Sequence, residues 1–173
     1  MDSQALIDLV RASPKDNGVL KLIVLRLPHD ERRTPARAVL STNNGVEGDR
    51  WKLKANANSQ SQVSVMNARF LETIAGERER MNLAGDNLIV DLDLCESNLP
   101  AGTCLRIGQA VIEVTDCPHT GCSKFERRYG KPMVDLANSP EGSALRLRGL
   151  YARVIHGGEV RLGDSVRKEA SHA

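Results

Sequence analysis

Hydrophobic positions along the chain alternate between two spacings. In the stretch Ala5 to Val10, apolar residues at Leu6, Leu9 and Val10 are three and four apart, which predicts a short helix ended by Pro14. Val19 to Leu27 is nearly continuous aliphatic sequence between Gly18 and Pro28, and predicts a largely buried strand. A charged loop from Pro28 to Pro35 leads to a shorter strand over Ala36 to Ser41. Val63, Met66, Phe70, Leu71 and Ile74 share one helical face and predict a core-facing helix. The polar, aperiodic run from Lys52 to Gln62 before them reads as a flexible loop. Further short strands are predicted at Leu88–Val90, Thr103–Ile107, Ala110–Thr115 and Ser165–Arg167. Gly108-Gln109 is a two-residue connector of hairpin type. His156-Gly157-Gly158 predicts another hairpin, joining Leu150–Ile155 to Glu159–Leu162. Short strands with glycine-centred turns, and two or three inserted helices, predict a mainly β chain closed as a small barrel. The expected organisation is a helical extension over residues 1–17, one domain over 18–167 and a frayed tail over 168–173.

Composition narrows the function classes. At 173 residues, 40% hydrophobic and 27% charged, the chain has the size and balance of one globular domain. One Trp, two Tyr and two Phe are too few for a base-stacking surface, and a net charge of +2 implies no polyanion, so no specific nucleic-acid partner is expected. Four cysteines do not make a disulfide framework, and Met1-Asp2-Ser3-Gln4 opens no signal-peptide pattern. Apolar runs such as Leu22–Leu25 are too short to span a bilayer. The expectation is a cytoplasmic protein with reduced thiols and no membrane partner.

The candidate chemistry converges on Asp116 to Gly130, which holds Cys117 and Cys122 and runs into Lys124, Arg127 and Arg128. A thiol among cations ionises more readily than free cysteine, and its thiolate serves as nucleophile, sulfur carrier or soft metal ligand. The competing reading of Cys122 is a small buried hydrophobe. Cys117, His119 and Cys122, completed by Cys95 or Cys104, would alternatively make a zinc site of unusual spacing. Cys117 is either structural or a second thiol for a disulfide or persulfide relay. His119 is a loop histidine or a proton-transfer group, since histidine titrates near neutrality. Lys124, Arg127 and Arg128 are a solvated face or an anion-attracting one. Upstream, Gly45-Val46-Glu47-Gly48-Asp49-Arg50-Trp51 is either a tight turn or a loop whose glycines let backbone approach a ligand, with Arg50 matched to phosphate.

These segments together resemble the MOSC family, named for the C-terminal domain of molybdenum cofactor sulfurase, and in particular its bacterial stand-alone members. The resemblance runs from Gly18 to Val166 through pieces in the family's order. They are Gly45 to Arg50, Gln62-Val63-Ser64-Val65, Gly85-Asp86-Asn87-Leu88, Leu99 to Thr103, Gly121-Cys122-Ser123-Lys124, and Gly149 to Val154 with Gly158 to Asp164. It implies a closed β-barrel of the PK type with few helices, and molybdenum cofactor (molybdopterin) as the ligand. It also implies Cys122 as molybdenum ligand and catalytic residue, with His119 as the second catalytic candidate. The implied cofactor-binding set is Asp49, Arg50, Ser61, Gln62, Asn87, Lys124, Arg127 and Arg128. The activity it implies is reduction of small N-hydroxylated substrates; the alternative is a sulfur carrier, through a Cys122 persulfide, or a cofactor carrier. The chain contains no recognisable pyridoxal-phosphate-dependent sulfurase domain and no ferredoxin-like domain. A separate electron donor, or a cysteine desulfurase-type sulfur donor, is therefore the expected partner.

Overall fold

The structure, a computed structural model, describes residues 2–169. Twelve strands run in chain order as β1 (Asn17–Ile23), β2 (Leu25–Arg26), β3 (Arg32–Arg33), β4 (Arg37–Ser41), β5 (Gly45–Val46), β6 (Val63–Asn67), β7 (Leu88–Asp91), β8 (Cys104–Ile107), β9 (Ala110–Val114), β10 (Leu150–His156), β11 (Gly158–Arg161) and β12 (Ser165–Lys168). Seven of them close a barrel in the order β1-β12-β8-β9-β10-β6-β7, with β7 pairing back onto β1. Every neighbouring pair is antiparallel except β6 and β7. A side sheet, β11-β4-β5, and the β2–β3 hairpin complete the strands. The closed barrel expected from the strand pattern is therefore observed.

Helices lie on one wall of the barrel. They are α1 (Ser3–Arg11), α2 (Ala68–Ala75), α3 (Ser123–Tyr129), α4 (Lys131–Asn138) and α5 (Pro140–Ala144). The barrel interior is filled by Leu20, Val65, Val90, Ile107, Ile112, Ala152 and their neighbours. A second apolar cluster, including Leu22, Val24, Met66 and Ile89, packs the outer faces of the β1–β7–β6 wall against α1 to α4. Burial on both faces explains the unbroken aliphatic run at the start of the chain: neither side of that wall meets water. A buried Phe70 or Leu71 contributes about 1.5–3 kcal/mol relative to exposure.

Several sequence expectations change here. Val63 and Met66 are strand, not helix, because all five residues of β6 are buried and the alternating signature of a strand is lost. The helix begins only at Ala68, where the Asn67 side chain accepts from Phe70 N at 3.0 Å. On α1 the buried residues are Leu6, Ile7 and Val10, whereas Leu9 is exposed. The run from Lys52 to Gln62 holds part of one 3₁₀ turn (Arg50–Leu53) and a second (Ser59–Ser61), capped by the Asp49 and Asn58 side chains. His156-Gly157-Gly158 does not close a hairpin. β10 pairs with β9 and β6, while β11 leaves the barrel to pair with β4. Of the frayed tail expected over 168–173, Lys168 instead belongs to β12 and Glu169 N donates to Cys104 O. Residues 170–173 lie outside the described residues.

Candidate functional site

One side of the barrel carries an unusual density of guanidinium groups, organised around the turn before β7. Gly85 ends a 3₁₀ turn with φ +78°. Lacking a Cβ, it lets Arg26, Arg32 and Arg128 converge, with atoms of each about 4 Å or less from where a side chain would begin. The next two residues, Asp86 and Asn87, are fully buried and each anchors a polar network.

Asn87 and Asp49 form the first network with Arg26. Asp49 accepts from Arg26 N (2.8 Å), Arg26 Nε (2.9 Å), Arg26 Nη2 (2.7 Å), Trp51 N (2.9 Å) and Asn87 Nδ2 (3.0 Å). Asn87 Oδ1 accepts from Ser64 N and Arg26 Nη2, and Asn87 Nδ2 also donates to Val24 O. Burial opposes ionisation of Asp49, but the Arg26 hydrogen bonds and charge outweigh it and hold the carboxyl below its usual range. The expectation that Asp49 and Asn87 bind ligand is corrected on this point: their polar atoms are engaged by the protein, so they position Arg26 and the Arg50 turn. Gln62 is corrected likewise. It is 3% exposed, donates to Thr42 O (2.8 Å) and accepts from Val154 N (2.7 Å), which makes it a clasp between β4 and β10. Ser61 Oγ donates to Asn58 O within its own 3₁₀ turn.

Arg148, Asp86 and His119 make the second network. Arg148 Nη1 donates to Asp86 Oδ2 at 2.6 Å, and its guanidinium lies 4.8 Å from the Phe125 ring centroid. Burial raises the Asp86 pKa, against the opposing charge and hydrogen bond of Arg148. His119 stacks on Tyr151 with ring centroids 4.1 Å apart, and its Nδ1 stands 3.7 Å from Asp86 Oδ1, too far for a hydrogen bond. Burial first, then the positive charges of Arg148 and Arg26, push the His119 pKa well below its ordinary value. The expectation that His119 titrates near neutrality is therefore corrected: it is a neutral imidazole enclosed in the wall. A histidine whose folded pKa is depressed costs stability as pH falls through its unfolded value, because the unfolded chain then binds the extra proton. We expect unfolding free energy to decline below about pH 6.5, with a slope approaching 1.4 kcal/mol per pH unit from this residue, and the slope to be lost in His119→Gln. Urea titrations across pH 5 to 7.5 check this; parallel pH profiles for the two proteins would refute it.

The third network lies at the mouth. Asp30, on the tip of the β2–β3 hairpin, accepts from Arg32 Nη2 (3.0 Å) and Arg128 Nη2 (2.8 Å), with Arg50 Nη1 at 3.9 Å. Lys54 joins the same field: burial lowers its pKa first, followed by repulsion from Arg26, Arg50 and Lys124. Arg50, Lys124 and Arg128, all expected from the sequence, are thus brought into one field. Arg127 is exposed on the far part of its helix turn and lies in no ion pair among the described residues.

Cys122 stands at the edge of this field as the residue capping the start of α3, and it is exposed. Partial burial raises its pKa, but the Phe125 and Lys124 N–H groups, then the charges of Arg148 and Arg128, bring it below the ordinary thiol value. The buried-hydrophobe reading is excluded by its exposure. The zinc reading also falls: among the described residues no three His, Cys, Asp or Glu side chains come together as a metal site. A cavity of about 330 Å³ is lined by Cys117, His119, Thr120, Arg146 and Arg148, and so shares His119 and Arg148 with the basic face. Cys122 is not among its lining residues.

Sequence reasoning missed Arg26, Arg32, Asp30, Asp86 and Arg148. A signal was present for two of them: Arg26 interrupts the aliphatic run Leu22 to Leu27, and Arg148 stands in Leu147-Arg148-Gly149-Leu150. A charge inside apolar sequence must find a buried partner, and both did. Arg32 Nε and Arg148 Nε are buried without a hydrogen-bond partner, and of the two guanidinium groups Arg148 acts on the Cys122 thiol. Guanidinium donors, glycine-permitted approach and a soft thiolate fit a ligand that combines phosphate with a thiolate-bound metal.

Among the described residues no helix is long and apolar enough to cross a membrane. No curated protein matches the chain. Solved structures share its fold. The YiiM protein of Escherichia coli is 20% identical over 90% of this chain and 71% of its own, with a TM-score of 0.58. YiiM of Geobacillus stearothermophilus is 16% identical over 88% and 75%, with a TM-score of 0.61. The YUAD protein of Bacillus subtilis is 13% identical over 87% and 94%, with a TM-score of 0.59. The model of the MOSC domain, a family associated in general with molybdenum cofactor binding, matches residues 52–167. That match spans the β6–β12 part of the barrel with Cys122 and Arg148, and the chain belongs to the MOSC domain family.

Proposed function

We propose that this protein binds molybdenum cofactor and reduces N-hydroxylated compounds, with Cys122 as the molybdenum ligand. The observation that carries the reading is the exposed Cys122 thiol, its pKa lowered by two backbone N–H groups and the charges of Arg148 and Arg128. Bound there, the cofactor would supply two-electron chemistry for cleaving an N–O bond. The chain's own part is to hold charge and shape. Arg32, Arg50, Lys54, Lys124 and Arg128 form the positive face for the cofactor's anionic end. Asp49 and Asn87 hold Arg26 and the Arg50 turn in place. Stacked His119 and Tyr151 form an uncharged wall of the site. Electrons would come from a separate donor protein.

The test is the molybdenum-to-protein ratio in material freshly isolated from a cofactor-competent host. Stoichiometric molybdenum is expected in the wild type, and loss of essentially all of it in Cys122→Ala with an unchanged melting temperature. Zinc without molybdenum, or equal molybdenum in both proteins, would sink the reading. The exposure of Cys122 also favours a second reading, a carrier of persulfide sulfur or of the cofactor, since a transferred sulfur must be reachable by a partner's thiol. An added sulfur atom on Cys122 by mass spectrometry, with no turnover of an N-hydroxylated purine by molybdenum-loaded protein, would favour that carrier.

A further inference from the structure

The three guanidinium groups at the mouth of the basic face are tied together by a carboxylate from the protein itself. Asp30 offers two oxygens and one negative charge to Arg32, Arg128 and Arg50, at 3.0, 2.8 and 3.9 Å. The set is undersupplied: Arg50 is beyond hydrogen-bond distance, and Arg32 Nε has no partner. Side-chain exposure is 6% for Arg32, 17% for Arg128 and 29% for Arg50, but 54% for Asp30. The cations are therefore built into the wall, whereas the carboxylate reaches them from outside and can leave without uncovering a core.

Its backbone is held in an uncommon way. His29 (φ 59°, ψ 28°) and Asp30 (φ 61°) are consecutive non-glycine residues in the left-handed region, between a Leu27 N to Glu31 O hydrogen bond that closes the hairpin below them. Such conformations persist where surrounding contacts over-determine them, and here those contacts are the Asp30–arginine bonds. The Arg32 hydrogen bond, ahead of the charges of Arg32 and Arg128, keeps the Asp30 carboxyl below its ordinary pKa, so it is a constant occupant at neutral pH.

We propose that Asp30 is an intramolecular occupant of an anion seat formed by Arg32, Arg50 and Arg128, and that it makes the seat selective for phosphate-type dianions, which must displace it. The inference rests on reading the basic face as the seat of the cofactor's anionic end. A monoanion such as acetate exchanges one carboxylate for another and competes against a tethered group at high effective concentration. A phosphate monoester brings a third oxygen, which reaches Arg50, and close to a second charge. Asp30 thus sets specificity without touching the reacting atoms.

Inorganic phosphate and acetate titrated calorimetrically into the full chain test this. Asp30→Ala should bind phosphate about tenfold or more tighter than wild type, the factor expected from removing one charged competitor, and should gain measurable acetate binding. Asp30→Asn, which keeps size and an acceptor oxygen, should fall between and guards against a folding defect in the alanine variant. Phosphate affinity unchanged or weakened in folded Asp30→Asn overturns the proposal. The molybdenum ratio of the wild type judges the cofactor reading separately. Tighter phosphate binding in a protein that never retains molybdenum supports the anion seat and removes the cofactor. Retained molybdenum with unchanged phosphate affinity does the reverse.

Discussion

Replacing Arg148 with Met should destabilise the protein by about 3–5 kcal/mol and raise the pKa of Cys122. Arg148 is the charge partner of Asp86, whose side chain has no solvent exposure and whose Oδ2 lies 2.6 Å from Arg148 Nη1. Removing the guanidinium leaves a fully buried carboxylate with only the weaker charge of Arg26 and a Ser64 hydrogen bond to offset it, close to the situation in which a broken buried pair costs most. The methionine keeps the apolar packing over Phe125, so the loss reads out charge more than volume. The sign of the pH dependence follows from Asp86. Its folded pKa already stands above the unfolded value, and loss of Arg148 raises it further. The mutant's folded state therefore binds the proton sooner, and its deficit should shrink as pH falls toward the unfolded carboxylate value. A second change, Asp86→Leu, should restore much of the stability, because the pair is costly mainly when half-broken. Urea unfolding measures the first effect. The pH dependence of alkylation at Cys122, followed on its peptide by mass spectrometry, measures the second, since Arg148 is the foremost charge lowering that thiol. Stability within 1 kcal/mol of wild type together with an unshifted alkylation profile would refute both assignments.

Asp49→Ala should cost a similar amount, about 3–5 kcal/mol, by a different route. Asp49 side-chain exposure is 1%, and its two oxygens join Arg26, the Trp51 N–H and the Asn87 amide. Truncation removes the acceptor of a mostly buried guanidinium and of three further N–H donors, Arg26 N, Trp51 N and Asn87 Nδ2, at once. Trp51 is the only tryptophan in the chain and is 5% exposed, so its emission reports on the 3₁₀ turn that Asp49 caps. We expect a red-shifted emission in folded Asp49→Ala, and a smaller loss in Asp49→Asn, which keeps an acceptor for the Trp51 N–H. Native-like emission and stability in the alanine variant would mean that Arg26 finds water or another partner.

Part of the candidate site was legible in local sequence. Gly121-Cys122-Ser123-Lys124 marks a thiol at a loop-to-helix junction, and the structure puts Cys122 at the start of α3, exposed. The cations credited with activating it were read less well. Arg128 acts on the thiol and Lys124 on the neighbouring Lys54, but Arg127 is exposed and lies in no ion pair among the described residues. The strongest charge on Cys122 comes from Arg148, which follows it only after α3, α4 and α5 have turned the chain back. Proximity in sequence stood in for proximity in space, and across a seven-residue helix that substitution fails for part of each turn.

Sequence by itself determined the class of fold, because short aliphatic runs between glycine-centred turns bury their surface most readily as a closed barrel. It also singled out Cys122 as a candidate thiol in a polar loop, with a small buried hydrophobe as the alternative that only its exposure in the fold removed. Tertiary structure alone decided which polar residues are taken up by the frame and which are left facing the candidate site. Asp49, Gln62 and Asn87 read as ligand contacts until partners 20 or more residues away engaged them. Arg26, Arg32 and Arg128 became the cationic wall only when the β2–β3 hairpin and α3 closed around Gly85. The physical reason is common to all of them. A hydrophobic residue gains from burial against almost any apolar neighbour, so its pattern can be read along the chain. A buried polar group is tolerated only with a particular partner at a particular distance, and that partner is supplied by the fold.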